Sequence, residues 1–464
     1  MLEIRMGLSV IVLAAGNGKR MRSGLPKVMH KLAGMTMLEH VIMAAETLSP
    51  DVINVVYGSG GLQVKEPLSH LAVNWIKQEE RLGTGHAVMQ ALPFCHEDDQ
   101  VLILYGDVPL ISSRTLKSLL DQTPIAALGL IIAEKENPLG LGRIIRNELG
   151  NIVSIIEEKD ANDYEKQIRE VNTGIIASSV KQLLQWLPQL KNNNNQQEYY
   201  LTDIVSFAVA EGVAVGGVMA HCQEEMQGVN DRWQLANLER HYQSNKAYDL
   251  AMQGVKVMDP ARLDVRGKVT IGIDTVLDVN VVLEGRVTIG SRCYIGPNVT
   301  IKNTCIADDA RIEANSVVDG ALIHANAVIG PFARVRPGST IGDAAKVGNF
   351  VEIKSTTLGP GSKASHHSYL GDAVIGSSVN IGAGTIVCNY DGANKWPTTI
   401  DDNAFIGSNS SLVAPLHIGE GATIGAGSVI SKDAAPHKLT LARPKQLNID
   451  GWKRPEKKTP IEAG

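Results

Sequence analysis

The chain has 464 residues, of which 44% are hydrophobic and 20% charged, and its formal net charge is −5. This charge gives no reason to expect nucleic acid or a membrane surface as a partner, and no apolar stretch is long enough to span a bilayer. Met1 to Arg5 lead straight into an apolar strand, without the features of a signal peptide. The five cysteines are scattered and lack a CxxC spacing, which favours reduced thiols in a cytoplasm over metal ligation by cysteine.

The first half alternates apolar strands with amphipathic stretches. Leu8 to Leu13, Val52 to Tyr57 and Val101 to Tyr105 are predicted strands, and Thr36 to Leu48 has a helical pattern. This alternation predicts a mostly parallel sheet with helices on both faces. Ligands of such sheets bind beyond the carboxyl ends of the strands.

The segment LAAGNGKRMRSGLPK, from Leu13 to Lys27, follows the first predicted strand and has the composition of a phosphate-binding turn. Its glycines let backbone N–H groups approach phosphate oxygens, and Lys19, Arg20 and Lys27 can neutralise the charge. The segment does not match GxxxxGK[ST], which disfavours an ordinary P-loop ATPase. A tight turn before a solvated basic helix start is the alternative.

Asp107 follows the third predicted strand, in the sequence Tyr105-Gly106-Asp107. Mg²⁺ takes few protein oxygens and completes its shell with water and phosphate, so a lone carboxylate at this place is a natural ligand. A helix cap accounts for the same residue equally well, and the pattern leaves both interpretations open.

The second half repeats an aliphatic residue every six positions, with one-residue slips. Neither an α-helix nor a simple hairpin meander predicts a phase held this long. A prism-shaped β-helix does, because each short strand points one aliphatic side chain inward before the chain turns a corner, where glycine is expected to relieve strain. The positions are Val265, Ile271, Leu277, Leu283, Ile289, Ile295, Ile301, Ile306, Ile312, Val318, Ile323, Ile329, Val335, Ile341, Val347, Ile353, Ile400, Ile406, Leu412, Ile418, Ile424 and Ile430.

Between the halves, Asp231 to Met252 is predicted to be one helix with Asp231 as its cap. The resulting division is a first domain over residues 1–232, a linker helix over 233–253 and a second domain over 254–464. Asn192 to Gln197 is predicted to be a polar surface loop, and the basic tail from Trp452 to Lys458 a solvated end.

Two interruptions of the six-residue frame are candidates for function. The first, Leu358 to Leu370, contains His366, and its neighbour His367 leaves the choice of a catalytic histidine open. The second, Val387 to Ile400, is too long for a corner and is expected to project as a loop. Its polar residues would then reach a neighbouring chain.

Motifs of one known family recur from the first half to the last coils, among them LAAGNGKRMRSGLPK, YGDVPL, GNFVEIK, NIGAGT and CNYDGANK. Through them the chain resembles, over essentially its whole length, the bacterial family of bifunctional N-acetylglucosamine-1-phosphate uridyltransferases/glucosamine-1-phosphate N-acetyltransferases. The resemblance implies an α/β Rossmann-like nucleotidyltransferase domain followed by a left-handed parallel β-helix of hexapeptide repeats, which forms a homotrimer. The chain departs from the family at Lys19, where threonine is usual, at Leu141, where tyrosine is common, and at His367. The matching motifs are LAAGxGxRMxSxLPK, the stretch Gln78 to Ala87, YGDVPL, NTG, EYYLTD, GVN, RPG, GNFVEIK, YLGD, NIGAGT and CNYDGANK.

In the first domain the resemblance implies uridylyl transfer from UTP to N-acetylglucosamine-1-phosphate, with release of pyrophosphate. Asp107 and Asn230 would bind Mg²⁺, Gln78, Gly83 and Thr84 would read uracil, and Tyr105 and Gly106 belong to the same site. The nucleotide would be held by Leu13, Ala14, Ala15, Gly16 and Lys27, and the sugar by Gly142, Glu157 and Asn172.

In the second domain the resemblance implies acetyl transfer from acetyl-CoA to glucosamine-1-phosphate, with His366 as general base. The two reactions together would supply UDP-N-acetylglucosamine for peptidoglycan and lipopolysaccharide. Arg336 and Lys354 would hold the sugar phosphate, and Tyr369 and Asn380 the sugar. The acetyl-CoA side would comprise Ala383, Asn389, Tyr390, Ser408, Ala426 and Arg443.

Two other readings of the sequence compete with this one. A plain sugar nucleotidyltransferase with a supporting β-helix would not need His366 or Arg443. A β-helical scaffold with a decayed first half would not need to retain Lys27, Asp107 and Asn230.

Overall fold

The computed structural model describes residues 7–16, 18–58 and 60–455. The predictions for Met1 to Arg5 and for the last residues of the basic tail therefore lie outside the described residues. The chain divides into two compact units, Met1–Asp249 with Asp264–Gly267, and Leu250–Leu263 with Lys268–Gly464. Within the described ranges, no helix combines the length and the apolar character needed to cross a membrane.

The strands of the first unit form one large sheet and one small hairpin. They are β1 (Leu8–Ala14), β2 (Lys31–Leu32), β3 (Met35–Thr36), β4 (Val52–Tyr57), β5 (Asn74–Lys77), β6 (Gln100–Tyr105), β7 (Leu128–Glu134), β8 (Arg143–Arg146), β9 (Ile152–Ile156), β10 (Glu170–Ser179) and β11 (Val215–Met219). The sheet has the order β11-β7-β10-β6-β1-β4-β5, and β8 joins it through β10 and β9. Strand β1 is parallel to β4 and β6, whereas β10 is antiparallel to β6 and β7.

Helices connect these strands and cover both faces of the sheet. The α-helices are α1 (Met37–Glu46), α2 (Gly61–Lys65), α3 (Thr84–Ala91), α4 (Ser113–Gln122), α5 (Val180–Trp186), α6 (Ile204–Ala210) and α7 (Arg232–Met252). Short 3₁₀ helices are Lys19–Met21, Lys27–Met29, Leu92–Phe94, Glu165–Gln167, Leu187–Gln189, Leu201–Asp203, Glu224–Met226 and Pro260–Arg262.

The alternation of side chains along β1 explains why both faces of the sheet are covered. Ile11 and Leu13 pack into one buried cluster, and Val10 and Val12 into another on the opposite side. A strand buried on both faces is a near-continuous apolar run, as the sequence of β1 is. The mostly parallel sheet is thus confirmed.

The second unit consists of three parallel ladders of short strands. One ladder contains Lys256–Val257, Val276–Leu277, Tyr294–Ile295, Arg311–Ile312, Val328–Ile329, Lys346–Asn349, Lys363–His366, Asn380–Ile381, Phe405–Ile406, Thr423–Ile424 and Leu439–Thr440. The other two interleave along Leu263–Ile271, Val281–Ile289, Thr300–Lys302, Cys305–Ile306, Val317–Asp319, Leu322–Ile323, Arg334–Val335, Thr340–Ile341, Glu352–Lys354, Thr357–Leu358, Tyr369–Gly371, Ala373–Ile375, Ile386–Cys388, Thr398–Ile400, Ser411–Val413, Leu416–Ile418 and Val429–Ile430. Most rungs join residues 17 or 18 positions apart, such as Tyr294 with Arg311 and Val328 with Lys346. Three strands per coil make a parallel β-helix.

The six-residue repeat forms the core of this β-helix, as predicted. Every aliphatic residue of the repeat, from Val265 to Ile430, is at most 6% exposed. The interruption expected between Leu358 and Leu370 is wrong, because Ala364 continues the six-residue step and is fully buried between them. Alanine fills the inward position there, so the coil is regular.

The second interruption is confirmed. The rungs around it join residues 25 positions apart, such as Asn380 with Phe405 and Ile386 with Ser411. The additional residues lie in the loop between Cys388 and Thr398, which is bridged internally by a Tyr390–Lys395 backbone pair.

Glycine follows the inward aliphatic residue for a different reason from the one expected. A Cβ atom at Gly382 would lie 2.6 Å from the backbone nitrogen of Ser408, and one at Gly407 would lie 2.5 Å from that of Ala426. Neither glycine has a positive φ; left-handed corners are taken by residues such as Asn409, with φ 57°, a type that tolerates this conformation. Glycine therefore permits close stacking of successive coils.

Candidate functional site

The carboxyl ends of β1 and β6 border a cleft of about 720 Å³ in the first unit. Parallel strands place these ends at the same edge of the sheet. Gly106 joins the two strands there, donating its N–H to the carbonyl of Leu13 at 2.9 Å. The predicted residues that line the cleft are Leu13, Ala14, Ala15, Gly16, Lys19, Arg20, Lys27, Gln78, Gly83, Thr84, Tyr105, Asp107 and Asn230.

Lys27 is the cation at the centre of this edge. Its ammonium forms an ion pair with the carboxylate of Asp107, and both side chains are less than one-fifth exposed, at 12% and 18%. The same ammonium lies 3.4 Å from Oδ1 of Asn230. Asn230 is held in place because its N–H donates to Oε1 of Gln234 at 2.7 Å.

Asp107 and Asn230 present two oxygen atoms, one carboxylate and one amide, to a single cation. Their segments are also joined directly, since the N–H of Val229 donates to the carbonyl of Asp107 at 2.9 Å. Mg²⁺ prefers this kind of donor set, with few protein oxygens and room for phosphate. The position of the Lys27 ammonium shows that the oxygen pair attracts positive charge, so the residues fit a divalent cation.

The segment from Gln78 to Thr84 lines the opposite side of the cleft. The side-chain amide of Gln78 donates to the carbonyl of Gly83 at 3.3 Å, and Oγ1 of Thr84 accepts from the N–H of Leu201 at 3.1 Å. Gly83 has φ 110° and its Cα faces the backbone of Tyr199, where a Cβ would lie 2.6 Å from the carbonyl oxygen. A side chain at residue 83 would therefore displace this segment.

Asn172 lines a smaller cavity of about 140 Å³ that also borders Asp107, and Gly142 lies against Glu157, whose carboxylate would be 3.5 Å from a Cβ at that glycine. The N–H of Asn172 donates to the carbonyl of Gly142 at 2.9 Å. Glu157 accepts from Oγ1 of Thr202 at 3.1 Å, and burial raises the pKa of its carboxyl group. Three residues that are far apart in the sequence thus meet at the carboxyl end of the sheet.

Sequence reasoning missed several residues of this cleft. Gln196 belongs to the predicted polar surface loop, yet it lines the cleft and accepts from Nζ of Lys159 at 2.8 Å. Glu198 and Arg81 also line it. The sequence EYYLTD, which contains Glu198, was a signal for this segment, but the asparagine-rich loop carried none.

Arg143 is another residue near the predicted sugar-binding residues that the sequence analysis does not identify. Its side chain is 1% exposed and donates to the carbonyl of Leu141 and, at 2.6 Å, to Oε2 of Glu158. The guanidinium therefore fixes the residues that flank Gly142 and Glu157.

In the second unit, the two candidate histidines have different surroundings. His367 occupies a corner with φ 41°, and its ring lies 5.1 Å from that of Phe350, which in turn lies 5.5 Å from Phe332. His366 ends the strand before this corner and its side chain is exposed. Both histidines are exposed, but of the two only His367 has a ring contact among the described residues, with Phe350.

The predicted sugar-phosphate residues lie on a neighbouring ladder. Arg336 pairs with Glu352 at 2.8 Å, and Lys354 lies 3.6 Å from Oδ2 of Asp372. The structure adds Lys395, which was not predicted. Hydrogen bonding to Lys354 and the positive charge of Lys354 lower the pKa of Lys395, so these cations form a cluster suited to an anion.

Tyr369 and Asn389 meet beside this cluster. A Cβ at Gly371 would lie 2.5 Å from the hydroxyl of Tyr369 and 2.8 Å from Nδ2 of Asn389, and Asn389 donates to Asp372 at 2.5 Å. Asn380 lies on the other ladder, between Lys363 and Phe405. Asn380 and Tyr369 therefore belong to different ladders of the β-helix.

Four of the predicted acetyl-CoA residues form one column along the β-helix. The carbonyl of Ala383 accepts from the N–H of Asn409, and the carbonyl of Ser408 accepts from the N–H of Gly427, each at 2.8 Å. The carbonyl of Ala426 accepts from the guanidinium of Arg443 at 2.9 Å. Successive coils thus place Ala383, Ser408, Ala426 and Arg443 in line.

Tyr390 lies apart from that column, in the projecting loop. It is 60% exposed and its hydroxyl donates to the carbonyl of Gly392 at 2.5 Å. Hydrogen bonds from the backbone of Asn394, the indole of Trp396 and the backbone of Ala393 lower the pKa of Asp391 to about 2. The loop is therefore internally ordered although it projects.

Known families match both halves of the chain. The MobA-like NTP transferase domain matches residues 10–164. The GMPPB C-terminal domain matches residues 265–336 and 317–391, and the bacterial transferase hexapeptide, with six repeats, matches residues 397–432. These matches agree with the predicted fold, including the left-handed β-helix of hexapeptide repeats.

Relatives named "Bifunctional protein GlmU" match nearly the whole chain. One from Coxiella burnetii is 59% identical over 98% of this chain and 100% of its own. Relatives from Marinobacter nauticus and Stutzerimonas stutzeri are 52% and 53% identical over 97% and 98% of this chain, and 99% and 100% of their own. The chain therefore belongs to the bifunctional GlmU family, which confirms the predicted pairing of a uridyltransferase with an N-acetyltransferase in UDP-N-acetylglucosamine synthesis.

Proposed function

We propose that the cleft of the first unit performs uridylyl transfer with the residues that line it, and that His366 is the general base of acetyl transfer in the second. The division of labour would follow residues 1–232 and 254–464, with 233–253 as linker. The observation that carries the first assignment is the convergence of Lys27, Asp107 and Asn230 at one point of the cleft. The second rests on His366, whose exposed side chain ends a strand, while the ring of His367 contacts Phe350.

In the first reaction, a phosphate oxygen of N-acetylglucosamine-1-phosphate attacks the α-phosphorus of UTP. The new P–O bond forms as the bond to the β-phosphate breaks, and pyrophosphate leaves with the electron pair. Gln78, Gly83 and Thr84 would hold the uracil, and Gly142, Glu157 and Asn172 the sugar. Such transfer depends on positioning and charge neutralisation, which the fixed backbone around Gly83 and Gly142 provides.

Lys27, together with a cation held by Asp107 and Asn230, would neutralise the negative charge of the phosphates. Asp107 and Asn230 would hold Mg²⁺, which supplies neutralisation of the phosphate oxygens when bound. Lys27 lies between these two residues and the glycine-rich turn, so its ammonium can pair with a phosphate oxygen instead of Asp107.

In the second reaction, the amino group of glucosamine-1-phosphate attacks the thioester carbonyl of acetyl-CoA. His366 would accept the proton from the amine as the C–N bond forms. The C–S bond then breaks, and the sulfur of CoA leaves with the electron pair and takes up a proton. Arg336 and Lys354, joined by Lys395, would bind the sugar phosphate.

The remaining predicted residues would complete the acetyl-CoA and sugar sites. The column of Ala383, Ser408, Ala426 and Arg443 offers an edge along which an extended cofactor can lie. Tyr369 and Asn389 would position the sugar from one ladder. Asn380 would contact the same sugar from the other ladder, and Tyr390, in the projecting loop, would contact the acetyl-CoA side.

We propose a homotrimer, as the resemblance implies. Large apolar side chains remain about half exposed on the β-helix, among them Phe332, Phe350, Val374 and Phe405 at 49%, 54%, 56% and 50%. Exposed apolar groups on a regular surface favour association. Sedimentation equilibrium of the full chain measures the number of copies; a monomer at micromolar concentration would contradict this assignment.

A cytoplasmic location is part of the same proposal. All five cysteines, Cys95, Cys222, Cys293, Cys305 and Cys388, are free thiols, as expected in a reducing compartment.

The Asp107→Asn variant tests the first site in the full-length protein. Pyrophosphate release from UTP and N-acetylglucosamine-1-phosphate should fall at least about 100-fold, since loss of one electrostatic stabiliser costs on this scale. Thiol release from acetyl-CoA and glucosamine-1-phosphate should be unchanged. Asp121→Asn, an exposed position in α4, is the matched control and should leave both rates intact. Full pyrophosphate release by Asp107→Asn, or equal loss in both assays, would contradict the assignment.

A further inference from the structure

Three side chains with metal-binding atoms meet outside both sites, in the first unit. The sulfur of Cys222, a carboxylate oxygen of Glu224 and a ring nitrogen of His241 all lie within 4.8 Å of one another. Each residue is half-buried. Cys222 and Glu224 belong to the segment that leads into the 3₁₀ helix Glu224–Met226, and His241 lies in α7.

The sulfur of Cys222 is oriented by backbone groups. The N–H groups of Glu225 and Glu224 hydrogen-bond to it. Hydrogen bonds of this kind orient the ligands of metal sites and tune their basicity. Glu225 itself faces away, because Ser112 and Thr115 donate to its carboxylate at 3.1 and 2.6 Å.

The ring of His241 also has a supporting partner. Asn245 places its side-chain amide 3.0 Å from Nε2 of His241; when the amide is turned so that its oxygen accepts from Nε2–H, Nδ1 carries the lone pair for a ligand. Lys135 donates to the carbonyl of Gln223 at 3.1 Å.

We propose that Cys222, Glu224 and His241 form a binding site for a thiol-preferring divalent cation of the Zn²⁺ class, separate from the Mg²⁺ site. Sulfur and imidazole ligands favour Zn²⁺ over Mg²⁺, which takes oxygen ligands. Three protein ligands with one open position are a common arrangement for Zn²⁺. On binding, the S–H bond of Cys222 breaks, the sulfur keeps the electron pair for the metal, and the proton goes to solvent.

The position of the cluster gives the ion a structural consequence. The ion would close the chain from Cys222 to His241 into a loop, and this loop contains Val229, which is bonded to the carbonyl of Asp107, and Asn230. Binding would therefore restrain the segment that presents Asn230 to the cleft.

Cobalt substitution in the full-length protein tests the site. Co²⁺ is titrated in the presence of excess Mg²⁺, and a thiolate-to-cobalt charge-transfer band is expected to saturate at about one equivalent per chain. The band should be lost in Cys222→Ser and strongly weakened in His241→Asn. Cys305→Ser, at an exposed cysteine of the second unit, should keep it. Absence of the band in the wild-type protein, or its persistence in Cys222→Ser, would overturn the proposal.

A second measurement needs no variant and so does not depend on how the variants fold. The protein is loaded with one equivalent of Zn²⁺, excess ion is removed, and its thiols are titrated with an organomercurial reagent while a chromophoric indicator reports free Zn²⁺. Release of Zn²⁺ together with modification of Cys222, identified by mass spectrometry, is the expected result. Retention of Zn²⁺ after Cys222 is modified would also overturn the proposal.

Discussion

Replacing His366 with alanine is the most direct test of the acetyl-transfer site. A general base contributes at least about 100-fold to a rate, equivalent to about 2.7 kcal/mol of transition-state stabilisation. The exposed ring ends a strand whose inward residue, Ala364, is fully buried. Removal of the His366 ring should therefore change the free energy of unfolding by no more than about 0.5 kcal/mol, so a loss of the acetyl-transfer rate can be assigned to the chemical step.

His367→Asn is the matched control. Asparagine tolerates the left-handed corner, where φ is 41°, but the variant loses the ring that lies 5.1 Å from Phe350. An aromatic pair contributes about 0.5–1.5 kcal/mol. His367→Asn should thus lower stability by that amount and leave the acetyl-transfer rate within about threefold of the wild type, since the rate difference from a base would be far larger.

Three measurements on the full-length variants separate these outcomes. Thiol release from acetyl-CoA gives the acetyl-transfer rate, pyrophosphate release gives the uridylyl-transfer rate, and denaturant unfolding gives stability. His366→Ala should affect the first measurement alone, and His367→Asn mainly the third. A hundredfold loss of thiol release in His367→Asn, with His366→Ala active, would refute the reasoning.

Three further predictions concern packing and charge. Glu157→Gln should raise the KM for N-acetylglucosamine-1-phosphate in steady-state kinetics. Because burial raises the pKa of the folded Glu157 carboxyl, the wild-type protein loses stability as the pH rises from the ordinary glutamate pKa through this raised value, so the variant should be more stable than the wild type only above that pH range. An equal gain in the free energy of unfolding at low pH would contradict this. Gly407→Ala places a Cβ 2.5 Å from the backbone nitrogen of Ala426 and should lower the free energy of unfolding by about 1–3 kcal/mol, measured by thermal unfolding, and raise the KM for acetyl-CoA. An unchanged melting temperature would show that the neighbouring coils can move apart to accept the Cβ. Arg143→Met leaves the carboxylate of Glu158 without its partner and should destabilise the first unit by about 3–5 kcal/mol, measured by denaturant unfolding, with Lys181→Met at an exposed ion pair as a nearly neutral control.

The regular parts of the fold were predictable because their side chains repeat. The strand predicted over Val52 to Tyr57 has the same bounds in the structure, and the helical pattern of Thr36 to Leu48 corresponds to α1, Met37–Glu46. Thr36 is its cap, accepting from the N–H of Glu39 at 3.2 Å. Asp231 likewise accepts from the N–H of Gln234 at 2.9 Å, as expected of the cap of α7.

The errors arose where one residue type serves an unexpected purpose. Ala364 occupies the inward position of a regular coil, but the predicted repeat consists of valine, isoleucine and leucine, so an alanine at this position looks like an interruption in the sequence. Glycine was expected at strained corners, whereas Gly407 is required by the neighbouring coil. Contacts between distant segments leave no local pattern, so nothing in the asparagine-rich loop indicates that Gln196 lines the cleft. Lys395 ends the motif CNYDGANK, but the motif alone does not show that its ammonium joins Lys354.

The site predictions depended on position more than on residue type. Asp107 and Gly16 follow buried strands, so the topology of a parallel sheet brings them together. No such rule places Glu157 beside Gly142, and that juxtaposition came from the family resemblance. In the sequence, chemistry leaves the choice between His366 and His367 open, and the family resemblance implies His366; the contact of the His367 ring with Phe350 distinguishes the two only in three dimensions.

The column from Ala383 to Arg443 spans the last coils of the β-helix. Repeat structures make contacts mainly between neighbouring units, and their ends open most easily. A molecule that bridges the column would fasten several coils at once, so that none could unravel without releasing it. Occupancy by such a molecule should then be readable as slower amide exchange throughout the carboxyl-terminal coils, including residues that never touch it.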